Sequence, residues 1–318
     1  MKNKSISIIS VPFSLGGPNE AAKDGPTLLL KNDLAGDLQE LEYTVKIIYP
    51  PTIKLKKSNV KNRIKNIEAV LSINSWLART VHNECKKGNI PLTIGGDHSL
   101  AIGTMTGVND AYNDIGVIWI DRHFDAHSPK NTPSWRAHGM PVAVVMGDKN
   151  FDTHSDFKKL QNIGIKNKIP RINPKNIVQI GIGEKSHINP PTKWYSMEDI
   201  DNLGMNKIAN QAVDYLTKRV NKIYIAWDID SMAVTGTGTS GDAQLTLREG
   251  LMLARILNKK IVEKNKLAGF EMMELAPALE KKHLKGQTVD WAIQLITAVF
   301  GGNLFNNLSR LNKNIHVV

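Results

Sequence analysis

The stretch Gly116-Val117-Ile118-Trp119-Ile120-Asp121-Arg122-His123-Phe124-Asp125 decides how this chain is read. Its apolar half has the character of a buried parallel strand. Its polar half carries Asp, His and Asp at every second position. Side chains two apart on an extended segment point the same way, so two carboxylates and an imidazole are expected to converge just past the strand end. That is a pattern of metal ligands.

Two other segments repeat the logic. Tyr224-Ile225-Ala226-Trp227-Asp228-Ile229-Asp230 is an apolar run ending in two Asp residues two apart, and the predicted strand Ile90 to Ile94 runs into Gly95-Gly96-Asp97-His98. Any one of these Asp residues, taken alone, has the bland reading of a helix cap or turn residue. Together His98, Asp121, His123, Asp125, Asp228 and Asp230 make six nitrogen and oxygen donors at three predicted strand ends. Six donors are too many for one ion and suit two that share bridging carboxylates. A carboxylate-rich set without thiolate favours Mn(II), with Fe, Co, Ni and Zn left open by the imidazoles.

Around these segments strands and helices alternate. Strands are predicted at Ile6 to Val11, Val45 to Tyr49, Ile90 to Ile94, Val117 to Ile120, Ile177 to Ile182, Lys222 to Trp227 and Leu267 to Met273. Helices fit Pro26 to Leu30, Val60 to Lys87, Leu100 to Tyr112, Val142 to Met146, Phe151 to Ile163, Lys207 to Val220, Leu247 to Asn258 and Thr288 to Phe300. Such alternation implies a mostly parallel sheet covered on both faces, with ligands gathered at the carboxyl ends of its strands. No linker divides the chain, so residues 1–318 are expected to form a single domain.

Composition narrows the function classes. Hydrophobic residues make up 41%, ample for a core, and the one cysteine, Cys85, excludes an intrachain disulfide and suits a reducing, cytoplasmic setting. The run Ile6 to Val11 is interrupted by Ser7 and Ser10 and stopped by Pro12, too short for a secretory core, and nothing is long enough to span a membrane. The net charge of +11 comes from lysines scattered in ones and twos without interleaved aromatics. That distribution fits a solvated surface and gives no reason to expect a nucleic-acid or membrane partner.

With His138-Gly139-Met140-Pro141 and Glu274 before Leu275-Ala276-Pro277, the three segments resemble the successive signatures of the arginase/agmatinase ureohydrolases. Ser14, Gly16, Gly25-Pro26, Gly95 to Gly103 and Leu245-Thr246-Leu247-Arg248-Glu249-Gly250 look more like arginase than agmatinase. The resemblance implies a three-layer α/β/α sandwich on a largely parallel, about eight-stranded sheet. It implies two Mn(II) per chain, one held by His98, Asp121, Asp125 and Asp228 and the other by His123, Asp121, Asp228 and Asp230. Attack of a metal-bridging hydroxide on the guanidino group of L-arginine or a related guanidino acid would release urea. Asp125 would orient that nucleophile, His138 would carry a proton to the leaving amine, and Glu274 would pair with the guanidinium. Family members are commonly trimers or hexamers, so a homo-oligomer is implied as well.

The departures from the family pattern concern the substrate. Arg122 and His127 stand where an arginase usually has Ala and Asn, and Arg136 replaces another Asn. Thr132 and Ser134 match residues that hold the amino acid's carboxylate, and the resemblance adds Thr246 as a substrate contact. Ser186 stands where arginases use Asp for the α-ammonium, with Glu184 nearby, and Ser231 to Gly241 is rich in Thr and Gly without the usual Pro. A cation gained at Arg136 is expected to bind the substrate carboxylate, while an anion lost at Ser186 weakens selection for an ammonium. A guanidinoalkanoate therefore stands beside arginine as substrate, with formiminoglutamate and a catalytically silent, metal-binding homologue as further alternatives.

Overall fold

The computed structural model describes residues 4–52, 57–147, 154–165, 171–183, 188–239 and 241–302. Eight strands form one sheet: β1 (Ser5–Val11), β2 (Thr44–Ile48), β3 (Ile90–Gly95), β4 (Ile115–Ile120), β5 (Ile177–Ile182), β6 (Lys193–Ser196), β7 (Lys222–Asp228) and β8 (Leu267–Met273). Their order is β2-β1-β3-β8-β7-β4-β5-β6, and every pairing is parallel. Both faces are covered, which is why the central strands are largely apolar. The helices are α1 (Gly25–Lys31), α2 (Leu34–Glu40), α3 (Ile67–Lys86), α4 (Ala101–Tyr112), α5 (Pro141–Met146), α6 (Ser155–Gln161), α7 (Met197–Leu203), α8 (Met205–Thr217), α9 (Leu247–Leu257) and α10 (Gln287–Val299).

Alternate side chains of each strand serve two cores. Ile118 and Ile120 of β4 and Ile223, Ile225 and Trp227 of β7 pack with buried residues of α8, α9 and α10. Val117, Trp119, Tyr224 and Ala226 point the other way, into a layer built from α3, α4, α5 and α6. The result is the expected three-layer α/β/α sandwich. Among the described residues no helix is long and apolar enough to cross a membrane.

Three features depart from the sequence expectation. Helix α3 begins at Ile67, not Val60, because the preceding segment spends its backbone elsewhere. Lys65 N donates to the Trp135 carbonyl, Asn66 N to Ser58, and both Asn62 and Asn66 adopt a left-handed φ of 55°. The eighth strand, β6, was not predicted: its four residues form a sheet edge beside β5, too short to show a period. Helices α2 and α7 were also missed, and residues 151–153 of the predicted Phe151 to Ile163 helix lie outside the described residues, with α6 covering Ser155–Gln161.

One charged group is built into the amino end of the sheet. Glu84 is buried and accepts from Ser7 Oγ at 2.7 Å, Asn89 Nδ2 at 2.7 Å and Lys87 Nζ at 3.0 Å, with Lys46 Nζ at 2.6 Å. Burial alone would raise its pKa, but these donors outweigh burial and hold it down at about 2. Its stabilisation is therefore complete above the ordinary value of 4.5 and is lost as pH falls toward 2. Glu84→Gln is expected to cost about 1 to 3 kcal/mol in urea unfolding at neutral pH. The difference from the unaltered protein should shrink when melts are repeated near pH 3.

Candidate metal centre

His98, Glu274 and Asp121 follow β3, β8 and β4, and Asp228 closes β7; these are the four neighbouring strands at the middle of the sheet. The sheet order thus brings together residues far apart in the chain, at the carboxyl ends where α/β folds bind ligands. His98 Nδ1 lies 2.9 Å from Asp228 Oδ2, 3.2 Å from Asp121 Oδ2 and 3.3 Å from Asp125 Oδ2. His123 Nδ1 lies 3.0 Å from Asp230 Oδ2 and 3.4 Å from Asp121 Oδ1. Asp121 therefore turns one oxygen to each imidazole.

These donors gather by a different route from the one expected. Strand β4 stops at Ile120, and Asp121 then folds the chain back by accepting the His123 amide on Oδ1 at 2.7 Å. Asp228 does the same for the Asp230 amide at 2.8 Å. Short side-chain-to-backbone turns of this kind suit Asp, which also tolerates the left-handed φ of 46° found at Asp125. Turns after the strands, and not alternation along them, set the ligand geometry.

Two groups of donors are each compact enough to hold a cation, His98 with Asp121 and Asp125, and Asp121 with His123 and Asp230. His98 Nδ1 is buried among carboxylate oxygens yet makes no hydrogen bond, and Asp230 Oδ1 likewise has no hydrogen-bond partner. Burial and then the neighbouring carboxylates raise the pKa values of Asp125, to about 7, of Asp228 and of Asp230. Such crowding is costly without cations and favourable with them. The hard, thiolate-free donor set fits divalent ions of the manganese type.

Around the donors lies a supporting layer. Trp119 donates from Nε1 to Asp121 Oδ2 at 3.0 Å and stacks on His98 with ring centroids 4.2 Å apart. Glu271 Oε1 stands 3.8 Å from His98 Nε2, and its other oxygen accepts from Thr104 Oγ1 at 2.6 Å. Thr239 Oγ1 donates to Asp230 Oδ2 at 2.6 Å. None of these was picked out in the sequence; the Thr and Gly content of the loop before Gly241 was the only signal for Thr239.

A cavity of about 200 Å³ opens over the donors, lined among others by His127, Ser134, His138 and Thr239. His138 sits in the short turn Ala137–Gly139, tied by its amide to the Gly16 carbonyl at 3.1 Å. Its Nδ1 is 3.7 Å from Glu274 Oε1. Burial works to lower the His138 pKa, but the adjacent Glu274 carboxylate outweighs it, so the net shift is upward. Glu274 itself is buried, and Oε1 also accepts the His98 amide at 2.8 Å.

The residues singled out for the substrate divide. His127 and Ser134 line the cavity. Thr132 is engaged in its own turn, accepting the Trp135 amide at 3.0 Å. Arg136 is engaged with the backbone, its Nη1 donating to the Gly17 carbonyl and tying two loops together. Thr246 is corrected outright: its hydroxyl caps α9 in a capping box with Glu249, beside Arg248 and Met252 in a separate depression. Arg122 lies against Gly241, where an added Cβ would fall 1.3 Å from Nη1. Ser186 and Glu184 lie outside the described residues.

Comparison with known proteins covers nearly the whole chain. Residues 4–301 match the family model described as the arginase family. Human arginase-1 is 33% identical over 313 residues, covering 94% of this chain and 94% of that protein. The crystal structure of Bacillus caldovelox arginase superposes with a TM-score of 0.84 at 31% identity, covering 95% of this chain and 99% of that one. The Entamoeba histolytica arginase, solved in complex with L-ornithine, gives a TM-score of 0.79 at 26% identity and covers 95% and 99% of the two chains. A match that runs through every strand end bearing a donor, and not through the sheet alone, means that this chain belongs to the arginase family.

Proposed function

We propose that the chain is a manganese-dependent ureohydrolase that cleaves the guanidino group of L-arginine or a related guanidino acid and releases urea. The single observation that carries this reading is Asp121, which offers one carboxylate oxygen to the His98 group and the other to the His123 group. On this reading His98, Asp121, Asp125 and Asp228 hold one ion, and His123, Asp121, Asp228 and Asp230 the other. Two divalent cations bound there would lower the pKa of a water and so supply hydroxide for attack on the guanidino carbon.

The chain's own groups account for the rest. Asp125 stands at the cavity wall to orient the attacking water by hydrogen bonding. His138, whose charged form the Glu274 carboxylate favours, supplies a proton to the nitrogen that leaves as the carbon–nitrogen bond breaks. Glu274, 3.7 Å from His138 Nδ1, is the partner for a guanidinium. Ser134 and His127 offer neutral or cationic donors to the far end of a substrate, which suits a carboxylate.

One observation favours a second substrate beside arginine. Among the described lining residues every carboxylate, Asp125, Asp228 and Asp230, belongs to the metal-ligand set. None is left there to pair with an α-ammonium, so a guanidinoalkanoate without one fits the described wall equally well. The test is urea release from arginine, 4-guanidinobutanoate and agmatine after removal of metal by a chelator and after return of Mn(II). Urea should appear only with Mn(II), and kcat/KM for the two acids should exceed that for agmatine by about tenfold or more. Two ions bound with no urea from any guanidino compound would overturn the proposal. Formamide released from formiminoglutamate in its place would move the enzyme to that substrate.

A further inference from the structure

We infer that Gln179 is a positioning residue for Asp125, and that Thr192 sets it. Gln179 lies in β5, fully buried, level with Trp119 of β4 on one side and Trp194 of β6 on the other. Its Nε2 donates to the Phe124 carbonyl at 2.9 Å, and its Oε1 accepts from Thr192 Oγ1 at 2.8 Å. The amide has one sensible orientation: a carbonyl oxygen can only accept, so the NH2 faces Phe124 and the oxygen faces the hydroxyl.

That bond acts on the metal centre through the backbone. The Phe124 carbonyl belongs to the peptide plane that ends at the Asp125 nitrogen, so pinning it fixes one side of Asp125. The other side is fixed by Val142 N, which donates to the Asp125 carbonyl at 3.0 Å. Between these two pins Asp125 holds a φ of 46°, a conformation that side chains other than Asn and Asp seldom adopt. Its carboxylate then reaches to 3.3 Å from His98 Nδ1. Trp194 adds an edge-on contact to the Phe124 ring at 5.4 Å, so the edge strand β6 braces the same turn. Without the amide donor the Phe124 carbonyl loses this pin, its peptide plane is freer to turn, and the Asp125 carboxylate swings from its place. The inference rests on the metal reading, but its readout is ion binding by the metal-free protein and needs no substrate.

The experiment titrates metal-free protein with Mn(II) alone and follows the free ion by electron paramagnetic resonance. Gln179→Met keeps the side-chain length and removes both hydrogen bonds. Gln179→Glu keeps the acceptor for Thr192 and loses the donor to Phe124. Both should weaken one of the two ions by about tenfold to a hundredfold, as loss of a ligand's hydrogen-bonded support does, with the other ion within about threefold of its original affinity. Thr192→Val, at a half-buried position, should weaken the same ion by about threefold. Loss of affinity at a single ion is not what general destabilisation produces. Unchanged affinities in both Gln179 variants, or equal weakening of both ions with a lowered melting temperature of the metal-free protein, would overturn the inference. If the Gln179 variants fail to fold, wild-type affinities in Thr192→Val overturn it.

Discussion

Asp121→Ala should fold, fail to retain either divalent ion through dialysis, and lose on the order of a thousandfold or more in urea release, about 4 kcal/mol of transition-state stabilisation. The expectation follows from position. Asp121 is the residue whose two oxygens face different imidazoles, at 3.2 Å from His98 and 3.4 Å from His123. Removing it takes a donor from both groups at once and leaves two buried clusters of weaker ligation. His98→Asn should weaken chiefly one ion. The fold should tolerate the loss of Asp121, because its charge is among the causes that raise the pKa values of Asp125, Asp228 and Asp230 in the metal-free protein. Metal analysis after dialysis, with melting of the metal-free forms, separates these effects. An Asp121→Ala protein that kept two tightly bound ions would end the bridging assignment.

His138→Asn should leave both ions in place and lower kcat by roughly a hundredfold to ten-thousandfold, the range for loss of a general acid. His138 lines the cavity and lies 3.7 Å from Glu274, and neither of the two compact donor groups includes it. The direction of the pH effect can be worked through. Glu274 raises the His138 pKa, so the proton is present below that value and lost as pH rises through it. In the unaltered enzyme kcat should climb as the attacking water ionises and then fall as His138 loses its proton. The falling limb should vanish in His138→Asn, while the rising limb remains. Loss of an ion in this variant would show instead that His138 is a ligand.

Much of the molecule was legible in the residues themselves, and the reason differs by feature. Central strands buried on both faces are mostly apolar, so β4, β7 and, despite its buried Glu271, β8 stood out as runs. The donors stood out because three such runs each lead into closely spaced aspartates or histidines, a recurrence that turn or cap residues alone do not explain. Signals failed where structure depends on a neighbour. β6 is a strand only because β5 lies beside it, and residues 60–66 stay out of α3 because Trp135, Ser58 and Leu15 bond to them. Thr246 looked like a substrate contact by resemblance, yet the ordinary chemistry of a helix start takes its hydroxyl.

The sequence by itself determined the class of sheet, the family pattern and which six acidic and imidazole side chains stand at the strand ends, since period, strand-end chemistry and residue spacing are local properties. Strand order is not local. That β3, β8, β7 and β4 lie side by side, bringing His98, Glu274, Asp228 and Asp121 to one end of the sheet, is decided by how the helices pack over both faces. The same packing puts Gln179 behind Phe124 and turns Arg136 toward Gly17. A side chain's partner is whatever the fold brings within hydrogen-bonding reach, and for these residues it comes from 55 and 119 positions away in the chain.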